Sequence, residues 1–207
     1  MGYLLEFYSL EWNELTAVLG SGDEAGAARI ADAERRIFPT KPGDGVDWKA
    51  GVHELMVGKH GKVLAGRGPE KQEVKGEELS TGEALGLVAI VRTLGIRLGE
   101  LVHTTRGATK FRKMFGPGFQ PPLFRAMHLA PFLLERPLYG VSPQQFPFWG
   151  GLRKNELLEL AGSDPPGHPP GDLPPVPDAD YEEWLYALRS VLWDARKAGS
   201  DLITLYL

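Results

Sequence analysis

Tyr3-Leu-Leu-Glu-Phe-Tyr8, near the beginning of the sequence, and Leu202-Ile-Thr-Leu-Tyr-Leu207, at its end, together decide the fold. Both are short runs of aromatic and branched apolar residues, the composition of a strand. A lone strand leaves its row of backbone N–H and C=O groups without partners. The two runs are therefore expected to share one small sheet, with Lys62 to Ala65 as a candidate third strand. Helical patterns dominate the sequence between them. The expected fold is α+β: a mostly helical single domain over residues 1–207, with a small sheet that includes both the N-terminal and C-terminal strands.

Moving inward, Ser9 is a candidate N-cap for a helix to Leu19, with Trp12, Leu15 and Leu19 on one face. Asp23 heads a second helix through Ile37, ended by Pro39 and Pro42, and Asp47 heads a third through about Val57. Gly58-Lys-His-Gly61 reads as a turn, and Gly66 to Glu78 as an exposed loop. Ser80-Thr-Gly-Glu83 has the pattern of a capping box, with serine and glutamate each reaching the other's backbone amide. It opens the most apolar helix, expected to run to about Val102 with a break near Gly95. Glycines at 86, 95 and 99 each cost about 1 kcal/mol relative to alanine unless close packing requires them.

Further along, Thr109 to Phe115 is expected to form a basic helical turn, and Pro122 to start a helix kinked at Pro131 and stopped at Pro137. Val141 to Gly151 reads as an aromatic, proline-rich loop, and Asn155 to Leu160 as a short helix. Seven prolines within residues 162–178 mark an extended surface crossing. Asp178 or Asp180 then caps an amphipathic helix with Tyr181, Trp184, Leu185, Leu188, Val191, Leu192 and Ala195 at helical spacing, stopped by Gly199.

Composition narrows the functional classes. Hydrophobic residues at 43% and charged residues at 24% supply a core and an ordinary surface, so wholesale disorder is excluded. The absence of cysteine removes disulfide frameworks, thiolate metal sites and cysteine nucleophiles. Met1 to Tyr8 lacks the basic and apolar regions of a signal peptide. The apolar run at Leu85 to Ile90 falls far short of the roughly 20 residues of a bilayer span. A soluble cytoplasmic protein without membrane contact is expected.

The net charge of −4 conceals a segregation. From Ala84 to Leu134 Glu100 is the one acid, against Arg92, Arg97, Arg106, Lys110, Arg112, Lys113 and Arg125. From Asn155 onward ten acids face Arg189, Arg196 and Lys197. Either the two sections neutralise each other inside the fold, or they provide a dimer surface or a basic face for an anionic partner.

Well-marked catalytic motifs fail on spacing. A phosphate loop ending at Gly58-Lys59 would need glycine at His53 and a hydroxyl at His60. His53-Glu54 begins a zincin pattern whose second histidine would fall at Val57. No nucleophile elbow or dinucleotide fingerprint is present. No cofactor and no metal is expected.

Three constellations remain. His103 to Lys113 gathers Arg106, Lys110, Arg112 and Lys113 with hydroxyls and a glycine, and suits a phosphate or carboxylate. Its alternative is a solvated turn that complements the dipole of the preceding helix. Arg125, His128 and Glu135 share a side of the helix after Pro122, where a histidine between an arginine and a carboxylate could move a proton. The alternative there is a solvent-facing stripe. Lastly, Tyr186 and Trp193, seven residues apart and flanked by Arg189 and Arg196, have the residue types of interface hot spots. Burial in a large core, or under the proline-rich crossing, is the alternative.

Tyr8-Ser-Leu-Glu-Trp-Asn-Glu-Leu-Thr-Ala-Val-Leu-Gly-Ser-Gly-Asp-Glu24 and Asp201-Leu-Ile-Thr-Leu-Tyr206 resemble the ends of a family of uncharacterised bacterial proteins. Members of that family open with a strand, a helix and a Gly-Ser-Lys/Gly-Asp turn and close on an apolar strand. The resemblance implies no activity and transfers no functional residue. The functional expectation is a non-catalytic cytoplasmic binding protein of bacterial type, acting on a protein partner or by self-association. An enzyme or binding protein for an anionic, phosphorylated small molecule or nucleotide at residues 103–113 is the alternative. Sequence-specific nucleic-acid binding ranks last, because the chain is acidic overall and has no evident recognition helix.

Overall fold

A computed structural model describes residues 2–33, 46–68, 78–104, 138–140, 142–143, 147–160 and 179–207. Strand β1 is Gly2–Ser9, and helices α1 to α4 are Trp12–Val18, Glu24–Ala33, Trp48–Met56 and Lys59–Arg67. There follow β2 (Glu78–Leu79), α5 (Thr81–Leu94), β3 (Ile96–Thr104), a 3-10 turn at Leu138–Gly140, β4 (Ser142–Pro143) and β5 (Phe148–Leu152). Helices α6 (Lys154–Leu160) and α7 (Ala179–Ala198) and strand β6 (Leu202–Tyr206) complete the order. The fold is α+β, with seven helices among the described residues and both terminal strands in one sheet.

That sheet has the order β3-β1-β6-β5, antiparallel throughout. The two terminal strands are immediate neighbours at its centre, with Leu5 opposite Tyr206 and Ser9 opposite Leu202. Leu4 and Leu207 extend the ladder through reciprocal backbone bonds of 2.9 and 2.8 Å. A second, parallel pair joins β2 to β4.

Because side chains alternate along a strand, β1 and β6 present two different faces. Tyr8, Trp149, Ile203 and Leu205 belong to a buried cluster with Trp12 and Leu15 of α1, Val52 and Leu55 of α3, Leu64 of α4, and Leu87 and Ile90 of α5. Leu5, Phe7, Leu202 and Thr204 alternate with them and are also buried. Helix α7 packs on β1 and β3 and against α6, contributing buried Leu188, Val191, Leu192 and Ala195. Helices therefore cover both faces of the sheet.

Several local expectations hold for the reasons given. Asp47 accepts from Lys49 and Ala50 amides at 3.1 and 2.9 Å, and Asp23 from Gly26 at 2.8 Å. Ser80 and Glu83 form the reciprocal capping box. Gly86 repays its helix cost, since a Cβ there would lie 2.6 Å from the Gly51 carbonyl carbon. Gly51, Gly82 and Gly86 thus let α3 and α5 cross almost backbone to backbone. Asn155 to Leu160 is helical within α6, and Gly199 ends α7 with φ of +68°.

Other expectations are corrected. Lys62 to Ala65 is not a strand but the middle of α4. The Glu54 carboxylate accepts from the His60 amide at 3.0 Å and so starts the helix. Gly61 lies directly on the Leu55 carbonyl, where a larger residue would collide. The turn chemistry at 58–61 therefore serves a tight α3–α4 joint.

The helix from Ser80 does not continue to Val102. It ends at Leu94, Gly95 turns extended, and Ile96–Thr104 becomes β3, paired along β1 with a bulge at Phe7/Tyr8. Leu94, Leu98 and Leu101 carry helical spacing, but an open flank on β1 decides the conformation. Val141 to Gly151 is not all loop either, because Phe148–Leu152 pairs with β6. Gly151 is a contact glycine beneath the Trp12 indole, with a built Cβ only 2.6 Å from Cζ2.

Ser9 does not cap α1. It ends β1, and its hydroxyl meets that of Ser200. The second helix is described only to Ala33. Residues 105–137 and 162–178, with the expected basic turn, the helix after Pro122 and the proline-rich crossing, lie outside the described residues.

Candidate functional site

Helix α7 carries the one expected constellation that falls wholly within the described residues. At 100° per residue, Tyr186, Arg189, Trp193 and Arg196 lie within about 80° of one another, with Tyr186 opposite the Leu188/Leu192/Ala195 side and Arg196 close beside Leu192. The inner side is fixed by burial of those residues in the core. On the outer side Tyr186 is 52% exposed, while Arg189, Trp193 and Arg196 are half-buried. The Arg196 guanidinium sits 5.3 Å from the Trp193 ring centroid, a cation–π contact of about 0.5–1 kcal/mol at such a site. That contact holds two long side chains in one arrangement.

The structure also assembles groups that the sequence did not single out. Glu6, on the central strand, is 4% exposed and points toward α5. Its carboxylate accepts from Arg92 Nε at 2.8 Å, Tyr8 Oη at 3.0 Å and Arg97 Nη2 at 3.3 Å. Glu100 faces Glu6 across the β1–β3 ladder, and Arg97 bridges the two acids. Burial, with the Glu6 carboxylate beside it, pushes the Tyr8 hydroxyl up to about 12. Two guanidinium groups converge on this one buried carboxylate, so the cluster has the character of a buried ion-pair network. The available signal was Glu6 itself, a lone charge in an otherwise apolar strand.

A serine, an acid and a histidine meet where α4 touches the start of α5. Glu83 accepts from His60 Nδ1 at 2.6 Å and from Ser80 Oγ at 2.7 Å. The carboxylate stands between the other two, whereas nucleophilic catalysis needs the histidine next to the serine. Burial alone would raise the Glu83 pKa, but the Ser80 and His60 hydrogen bonds outweigh it and the net shift is downward. The arrangement caps α5 and ties α4 to it.

Asp201, just before β6 and 1% exposed, joins two helix starts. Its carboxylate accepts from the Trp12 amide at 2.9 Å, the Lys154 amide at 3.0 Å and Arg153 Nη1 at 3.0 Å. Arg153 in turn lies 4.2 Å above the Trp12 ring.

No protein-family model, curated protein or solved structure matches this chain. The site therefore has to be read from its own chemistry.

Arg106, Lys110, Arg112, Lys113, Arg125 and His128 lie outside the described residues. The basic section is described as far as Thr104, and there Arg92 and Arg97 are ion-paired with Glu6, and Arg97 with Glu100 as well. In the acidic section Asp201 pairs with Arg153, and Asp194 with Lys197. Part of the charge segregation is thus neutralised within the fold. Among the described residues no group of three or more His, Asp or Glu side chains could hold a metal ion, and no helix is long and apolar enough to cross a membrane.

Proposed function

We propose that this chain is a non-catalytic binding protein that engages a protein partner through the outer face of α7, in the cytoplasmic setting its composition suggested. One observation carries the reading. A large aromatic residue, Tyr186, stands half exposed one turn from an arginine and two turns from a tryptophan already clamped by a second arginine. Tyrosine, tryptophan and arginine dominate interface hot spots because each offers wide contact area at low rotamer cost. The best-connected polar clusters, at Glu6, Glu83 and Asp201, hold elements of the fold together and leave no adjacent nucleophile–base pair.

Site-specific photocrosslinking tests the proposal. A benzophenone side chain is placed at position 186 and, as a control, at Val63, an exposed apolar residue of α4. A discrete adduct from 186 and none from 63, abolished by Trp193→Ala in the same chain, is the expected result. Equal labelling at the two positions, or no adduct from 186, would overturn it.

A further inference from the structure

We draw no further inference here: the strongest candidate, the core cluster in which Trp12 of α1 and Trp149 of β5 bury their indole N–H groups without an acceptor among the described residues, carries nothing because nothing in the structure shows what would meet those donors.

Discussion

Replacing Asp201 by alanine should destabilise the protein far more than an average point substitution, although the residue lies between α7 and β6 and belongs to neither. Its carboxylate receives the first amide of α1 and the first amide of α6, at 2.9 and 3.0 Å. Loss of a side-chain cap costs about 1 kcal/mol at each helix start. The third bond, from Arg153 at 3.0 Å, is charge-assisted, and such bonds contribute about 1.5–3 kcal/mol. Arg153 remains stacked on Trp12, so its charge stays near the vacated site. Together these losses come to about 4 kcal/mol, a large share of the 5–15 kcal/mol that holds a typical domain.

Urea unfolding followed by tryptophan fluorescence reads this directly, Trp12 being beside the substitution. With a slope of about 2 kcal/mol/M the midpoint should fall by about 2 M. Asp201→Asn keeps an acceptor but loses the ion pair and turns an N–H toward one of the two amides. It should fall between wild type and alanine. A midpoint shift below about 0.5 M for Asp201→Ala would refute the claim that one carboxylate fastens both helices.

Glu6→Leu should cost about 3–5 kcal/mol, because it removes the carboxylate that pairs with the largely buried Arg92; Glu6→Leu with Arg92→Met should recover most of the loss in a double-mutant cycle by urea unfolding. Gly51→Ala should lower stability by at least about 2 kcal/mol even though alanine favours helix, since its Cβ would collide with the Gly82 carbonyl oxygen. In thermal melts Gly66→Ala, where a Cβ meets nothing, should be neutral or slightly stabilising. Glu83 titrates below its ordinary value in the folded chain, so its contribution is fully present above the unfolded carboxylate pKa and is lost as pH falls through the folded one. The stability gap between wild type and Glu83→Gln should therefore be constant near neutrality and shrink on acidification below about pH 4.5.

The sheet was legible in outline because both terminal runs have strand composition and because strands need neighbours. Its two outer strands were not. Ile96–Thr104 carries leucines at helical intervals directly after an unbroken apolar helix, and only the unpaired flank of β1 forces it to extend. Phe148–Leu152 contains Gly150-Gly151, a pair that reads as a break until the Trp12 indole above it is known. Gly58 and Gly61 misled in the same way, since a glycine that admits a neighbouring backbone looks in sequence like one that bends the chain. Caps within three residues of a helix start were readable, as at Asp23, Asp47 and Ser80. The α1 cap, Asp201, comes from 189 residues away and carries no local signal. The α7 stripe was visible because helical periodicity is itself local. The Glu6 and Glu83 clusters join residues 86 and 23 positions apart, to Arg92 and His60 respectively.

The pairing of β1 with β6 has a consequence for the order in which the molecule is made. The strand made before all the others of its sheet sits at the middle of it, and one of its two neighbours lies about 200 residues downstream. Domains fold as synthesis proceeds, at about 5–20 residues per second, so β1 waits at least ten seconds or so with one flank open. During that interval β3 can pair with it, and α1 to α5 can cover one face. The flank meant for β6 then remains a sticky edge of the kind that recruits other chains. Contacts this distant also slow closure of the finished chain. Expression conditions that lengthen the wait, such as stalling within the proline-rich stretch before α7, should therefore favour aggregation over the native sheet.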